Sequence, residues 1–387
     1  MDELSMGERA LGRLLDRSHA LRPDEIPRIT TEVAVDLGAL DAAIYLTDLE
    51  QRVLVPFGRA DPPLDIDGTL AGRGFRAREQ VVAESGRDRW YPLLDGADRV
   101  GMLRVELPET VDLATLTRLG WFASIVAELI VTKAKFGDVI VNTVRTKPVS
   151  IATELRWLLM PPLTFRNDHV EIAAMLEPAY DVAGDAFDYA VHATSIDAAV
   201  FDAMGHGLEA ARLANLAVGC YRNRRRAGAT LEQLVSEIDT VIAEEFGDER
   251  FVTALLCTLD IRTGHTRIAS CGHPLPLLLR GTHVVGQVDG DVNVPLGLRV
   301  GSPRVIDLTI EPGDRLLLFS DGVAEAQSPD RTLFGTDRLG DLLARAAMAD
   351  ELPAETVRRL THSVLEHAVR LRDDATLMMI GWPRPLQ

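Results

Sequence analysis

Strand-like apolar runs that stop at, or start from, an aspartate constrain the second half of this chain more than any other feature. Ala199-Val-Phe-Asp-Ala-Met-Gly-His-Gly207 and Leu316-Leu-Leu-Phe-Ser-Asp-Gly322 each lead an apolar run into an acid and a glycine turn. Val182-Ala-Gly-Asp-Ala-Phe-Asp188 and Arg372-Asp-Asp-Ala-Thr-Leu377 add a Gly-Asp pair and an acidic pair followed by another apolar run. Asp-Gly and Gly-Asp pairs are ordinarily plain turns. Here the apolar runs leading into Asp202 and Asp321 and away from Asp373-Asp374 set them apart. Carboxylates held at strand ends, with small residues that let the backbone come close, suit a hard cation that takes oxygen ligands and keeps its waters. The expectation is a Mg²⁺ or Mn²⁺ site built on Asp185, Asp202, Asp321 and Asp373, not a zinc site.

The chain has 387 residues and is 47% apolar, enough for two or three domains with cores of their own. The net charge of −17 argues against a nucleic-acid partner, because phosphate backbones are bound by basic surfaces. A basic run, Arg222-Asn-Arg-Arg-Arg226, reads as the solvated, dipole-complementing end of a helix. The three cysteines, Cys220, Cys257 and Cys271, form no Cys-x-x-Cys pair and read as reduced, buried thiols. With no run of eighteen apolar residues and no basic-then-apolar leader, the expectation is a cytoplasmic protein without a membrane segment.

Three regions follow along the chain. Over 1–110, a helix from Asp24 to Leu37 precedes short β-like runs at 42–47, 52–56, 80–83, 90–93 and 99–106, which predicts an α+β module with a small antiparallel sheet. Over 111–165 a long amphipathic stretch repeats Phe122, Leu129 and Phe136 every seven residues, alongside Leu119, Val126 and Ile140, interrupted by Lys133. That seam predicts a helical linker pairing in a homodimeric coiled coil, although packing on its own domain would give the same stripe. A second helix, Ser150 to Leu159, ends before Pro161-Pro162. Over 166–387, nine predicted strands are broken by two helix pairs, 208–227 with 231–246 and 338–347 with 353–370, which favours two sheets with helices outside.

The ordered set Gly-Asp185, Asp202-Ala-Met-Gly-His-Gly207, Cys271-Gly-His-Pro-Leu-Pro276, Pro295-Leu-Gly297, Gly313 to Glu325 and Asp373-Asp-Ala-Thr376 resembles the SpoIIE-like branch of the PPM-type (protein phosphatase 2C-like) Ser/Thr phosphatases. The match spans about Glu171 to Trp382. The resemblance implies an α-β-β-α sandwich and two divalent ions, Mn²⁺ or Mg²⁺, held by Asp185, Asp202 and the Ala203 carbonyl, with Asp321 and Asp373 completing the shell. It further implies hydrolysis of phosphoserine or phosphothreonine on an anti-sigma-factor antagonist. Asp188 and Asp374 read as outer or structural acids, and His206 and His273 as turn residues. Where the family commonly has Gly-Gly-Asp and Asp-Gly-Met-Gly, this chain has Ala183 and Ala203; a positive φ at 203 would cost on the order of 1 kcal/mol.

The first region, with Asp65-Ile-Asp-Gly-Thr-Leu-Ala-Gly-Arg-Gly-Phe-Arg76, resembles a GAF sensory domain. It contains no cysteine for thioether attachment of a tetrapyrrole, and His19 is its one nearby histidine, so its ligand stays open. The alternative function is a weak or inactive phosphatase-fold sensor that binds a regulatory partner.

Overall fold

The computed structural model describes residues 6–178, 180, 184–247, 249–368 and 371–383, arranged in two compact units, Met1–Pro148 and Val149–Gln387. The segment expected as a separate linker, 111–165, is divided between them.

The first unit opens with α1 (Met6–Ser18) and α2 (Ile26–Asp36). Next come β1 (Asp41–Thr47), β2 (Val53–Phe57), β3 (Leu64–Asp65), α3 (Leu70–Ala77), β4 (Val81–Val82), β5 (Asp88–Asp95) and β6 (Asp98–Glu106). It closes with α4 (Leu113–Lys133) and α5 (Val139–Val144). The strands form an antiparallel sheet in the order β3-β2-β1-β6-β5-β4. The glycine-rich motif builds α3: Thr69 caps it by accepting the Gly72 N–H at 3.0 Å. A Cβ at Gly72 would meet the Ile66 carbonyl at 1.9 Å, so no larger residue fits.

The heptad stripe has a local explanation. Leu119, Phe122, Val126, Leu129 and Ile140 are buried in one core with residues of α1, α2 and the sheet, while Phe136 is 74% exposed. The seam is therefore used within its own unit, and the coiled-coil expectation loses its basis. Periodicity reports which face is covered and not by what. The segment Leu113–Phe136 is long and apolar enough to cross a membrane by length and composition alone. Of its most apolar window 39% is buried, and the residues buried there belong to this core.

The second unit starts with α6 (Ile151–Leu159), β7 (Thr164–Arg166), β8 (Glu171–Glu177), β9 (Asp185–Val191) and β10 (Ser195–Ala203). The paired helices α7 (Gly207–Arg226) and α8 (Leu231–Phe246) come next, followed by β11 (Val252–Asp260), β12 (His265–Cys271), β13 (Leu277–Arg280) and β14 (His283–Gln287). The chain then runs through β15 (Ile306–Thr309), β16 (Asp314–Phe319), α9 (Asp321–Ala324), α10 (Thr336–Met348), α11 (Pro353–His367) and β17 (Ala375–Gly381). Two antiparallel sheets result, β15-β12-β11-β10-β9 and β14-β13-β16-β17-β8-β7.

Three hydrophobic layers stack these elements. One core joins α7 and α8 to the first sheet, another joins α10 and α11 to the second, and a third lies between the sheets. Side chains alternate across a strand, so a strand covered on both faces must be apolar throughout. In β10, Ala198 and Val200 enter the inter-sheet core while Ala199, Phe201 and Ala203 face the helices. In β16, Leu316 and Leu318 face inward while Leu317 and Phe319 face α10 and α11. This is the expected α-β-β-α sandwich, and it explains the uninterrupted runs that end at Asp202 and Asp321.

Candidate active site

The same alternation places the acids. Asp202 follows Ala198 and Val200 in step two, and Asp185 precedes Phe187, so both face the inter-sheet layer. They are direct cross-strand partners in the β9–β10 register, which brings Cβ atoms to roughly 5 Å. On the opposite sheet, Thr376 shares the inward parity of Met378 and Ile380, and Asp374 lies two residues before it. Thr376 Oγ1 donates to Asp185 Oδ2 at 2.6 Å, and the Asp185 N–H donates to Asp374 Oδ2 at 3.2 Å. The two sheets thus meet at this end through acids and their hydrogen bonds.

Glycines permit the close approach. A Cβ at Gly184 would come within 2.0 Å of the Ala203 carbonyl, and one at Gly322 within 1.9 Å of the Asp374 carbonyl. Gly205 and Gly207, flanking His206, have φ of +99° and +73°, values that favour glycine. Ala203 is the last residue of β10 and does not have positive φ, so the cost anticipated there does not arise. Ala183 lies outside the described residues.

Burial and mutual repulsion govern the protonation of this group. Asp185 is 1% exposed, and its carboxyl is held well above the usual range by burial first, then by the charges of Asp202 and Asp374. The Thr376 hydroxyl, which donates to Oδ2, works the other way. Asp202, half-buried, is pushed up to about 7 by burial and by the charges of Asp321, Asp373 and Asp374. Asp373 is exposed, yet the atoms packed around it, helped by the Asp321 charge, raise its carboxyl as well. The acids therefore feel one another. Among the described residues, however, no three acidic, histidine or cysteine side chains close into a preformed ligand cage.

The donor set fits divalent cations in two respects. Every candidate ligand is an oxygen, the preference of Mg²⁺ and Mn²⁺. Asp185 Oδ1 is buried and takes no hydrogen bond, an unsatisfied position that a cation would fill. Next to the acids lies a cleft of about 1050 Å³, lined by Ser150, His206, Leu208, Arg372, Asp373 and Asp374 among others.

Other expected residues fall outside the acidic group. Asp188 has the opposite parity to Asp185 and faces α7, where Arg222 Nε and Nη2 reach Oδ1 at 2.9 and 2.6 Å and Arg225 Nη1 reaches Oδ2 at 2.7 Å. Part of the basic run is thus a half-buried clamp on a buried acid and not a solvated face. His273 is buried with Nδ1 2.8 Å from Thr253 Oγ1, and burial pushes its pKa down to about 3 against the pull of the Phe319 carbonyl. Near neutral pH it therefore carries no charge. A Cβ at Gly272 would lie 2.6 Å from the Pro295 ring, which locks the Cys-Gly-His-Pro motif onto the Pro-Leu-Gly motif. Cys257 and Cys271 are buried free thiols, each pushed up to about 12 by burial. Sequence reading missed Arg156 of α6, which is 3% exposed and paired with Asp374.

Residues 193–383 match the family model of Stage II sporulation protein E, SpoIIE. This stretch, just under half of the chain, is similar to the SpoIIE-type phosphatase domains. It contains Asp202, Asp321 and Asp373, while Asp185 lies just before its start. The chain is similar to phosphoserine phosphatase RsbU of Bacillus subtilis, 23% identical over 235 residues, covering 60% of this chain and 69% of the relative. Protein IcfG of Synechocystis is 28% identical over 130 residues, only 20% of its length. Among solved structures, the RsbU and RsbW domains of Rv1364c from Mycobacterium tuberculosis align with a TM-score of 0.51 at 25% identity, covering 57% of this chain and 63% of that one. The SiaA-PP2C domain of Pseudomonas aeruginosa aligns with a TM-score of 0.51 at 21% identity, over 60% of this chain and 94% of that domain, a likeness of fold.

Proposed function

We propose that this chain is a metal-dependent protein phosphatase that hydrolyses phosphoserine or phosphothreonine on a regulatory protein of the anti-sigma-factor antagonist type. The observation that carries the reading is the convergence of Asp185 and Asp202 of one sheet with Asp374 and Thr376 of the other, with an unsatisfied buried oxygen on Asp185. Asp185, Asp202, Asp321, Asp373 and the Ala203 carbonyl would hold two Mn²⁺ or Mg²⁺ ions. Bound there, the ions would acidify a water and neutralise charge developing on the phosphoryl oxygens. The chain's own part is to fix the acids at the ends of packed strands. Thr376 orients Asp185, and the glycines at 184 and 322 let neighbouring backbones lie against each other. His273, neutral and enclosed, supports the turn and does not exchange protons at neutral pH.

The first unit, GAF-like in its α+β pattern, serves in this reading as the sensor that controls the phosphatase in the cytoplasm. A homodimer would use the part of the Leu113–Phe136 segment left uncovered, where Trp121 and Phe136 are 58% and 74% exposed. The rival reading, a weak or inactive phosphatase-fold scaffold, draws on the open arrangement of the acids and the exposure of Asp373. Hydrolysis of an aryl phosphate with Mn²⁺ decides between them. Turnover that EDTA, Asp202→Asn and Asp321→Asn each abolish supports the enzyme; no turnover with any divalent ion, on the aryl ester or on a phosphoprotein, supports the scaffold.

A further inference from the structure

Arg156 sits on α6, in the segment that reads as linker, yet its guanidinium is 3% exposed and lies behind the acidic group. Nη1 is 3.4 Å from Asp374 Oδ2, and Nη2 donates to the Pro178 carbonyl at 2.9 Å. The same Asp374 oxygen accepts the Asp185 N–H. One planar fork therefore ties the residue after β8, the residue before β17 and, through Asp374, the first residue of β9. These three strand ends belong to both sheets. The helix that carries the fork is itself fastened. Ser150 caps it by accepting the Thr153 N–H at 3.2 Å, Thr153 Oγ1 donates to the Tyr180 carbonyl at 3.4 Å, and Arg222 donates to the Leu159 carbonyl while holding Asp188 of β9.

We infer that Arg156 is a positioning residue for the cation site: it fixes Asp374, and through it the Asp185 backbone, in the geometry that binds metal. The inference rests on the phosphatase reading. A guanidinium suits the task because its donors are rigidly splayed and can bridge a carboxylate and a carbonyl at once. Outer groups of this kind orient ligands, and their removal typically lowers metal affinity by about 10- to 100-fold. A bare electrostatic argument predicts the opposite sign, since deleting a positive charge beside a cation site would tighten binding. The two accounts are therefore separable by one measurement.

The test uses the full chain, with Mn²⁺ titrated calorimetrically into wild type, Arg156→Ala and Arg156→Lys at a temperature well below each melting point. The expected result is a Kd for Mn²⁺ raised about 10-fold or more in Arg156→Ala, with partial recovery in Arg156→Lys, which keeps the charge and loses the fork. At saturating Mn²⁺ the turnover of an aryl phosphate should fall by less than at limiting Mn²⁺. An unchanged Kd with a lowered melting temperature would make Arg156 merely structural and overturn the inference. A tighter Kd would overturn it in favour of a counter-ion. Should Arg156→Ala not fold, Arg156→Lys alone decides, a wild-type Kd again counting against the inference. No Mn²⁺ binding by wild type would remove the phosphatase reading and this inference together.

Discussion

Asp185 and Asp188 stand three residues apart on β9, each 1% exposed, on opposite faces of the same sheet. Asp188 faces α7 and is answered by two arginines through three contacts of 2.6 to 2.9 Å. Asp185 faces the other sheet and is answered by a hydroxyl and two further carboxylates, with no basic side chain paired to it among the described residues. A buried charge is expensive unless paired. The compensated acid is therefore what a fold needs to join a helix to a strand. The uncompensated one is tolerated for a different reason, and perturbed, unpaired acids of this kind concentrate at functional sites.

The largest expected effect separates the two faces. Asp185→Asn should cut Mn²⁺-dependent turnover by about 100-fold or more, because a ligand carboxylate is lost. It should at the same time raise the melting temperature of the metal-free protein at pH 8, because the repulsion from Asp202 and Asp374 goes with it. Asp188→Asn should do the reverse, costing about 3 kcal/mol of stability by leaving Arg222 and Arg225 without their acid, while Kd for Mn²⁺ changes little. Thermal melts with and without Mn²⁺, read beside activity, check both. If both variants lose stability alike, the contrast between the faces is wrong.

How much of this was legible in the sequence follows from the same geometry. The runs ending at Asp202 and Asp321 announce strands covered on both sides, because water-facing positions would interrupt them with polar residues, as the solvated strand β14 shows in its exposed His283 and Gln287. The paired helices and the small residues beside the acids were equally plain. The choice between Asp373 and Asp374 was not, since adjacent acids look identical until the register of Thr376 fixes which one turns inward. Arg156 left no trace, because one buried arginine in a short helix does not disturb the helical period. Arg222 and Arg225 were misread for a related reason: a helix end explains basic residues without asking what lies opposite.

A subtler separation is the pH dependence. Asp202 is raised from the ordinary carboxylate value of 3.8 to about 7, so in the metal-free protein it keeps its proton where the unfolded chain has lost one. Its contribution to stability is therefore present in full below about pH 4, declines as the pH rises towards 7 and is level above that. The slope is at most about 1.4 kcal/mol per pH unit. Subtracting the stability of Asp202→Asn from that of wild type across this range isolates the contribution in denaturant melts. Saturating Mn²⁺ should flatten or reverse the decline, because the cation favours the ionised form. A pH-independent difference without metal would mean that neither burial nor the neighbouring carboxylates raise this acid.

The smallest expected effect concerns the rim. Asp373 is exposed at the cleft, so the packing that raises its carboxyl covers it only in part. Asp373→Asn should therefore leave the metal-free melting point within about 0.5 kcal/mol of wild type, unlike either acid of β9. If the side chain nonetheless closes on a cation, Kd for Mn²⁺ will rise while stability stays put, a combination that an inert surface acid would not produce. Such a result would extend the division between structural and functional acids from burial to reach: Asp185 is held ready by the fold, whereas Asp373 is recruited by the ion. A variant that matched wild type in both measurements would confine the site to the inward-facing acids and Asp321.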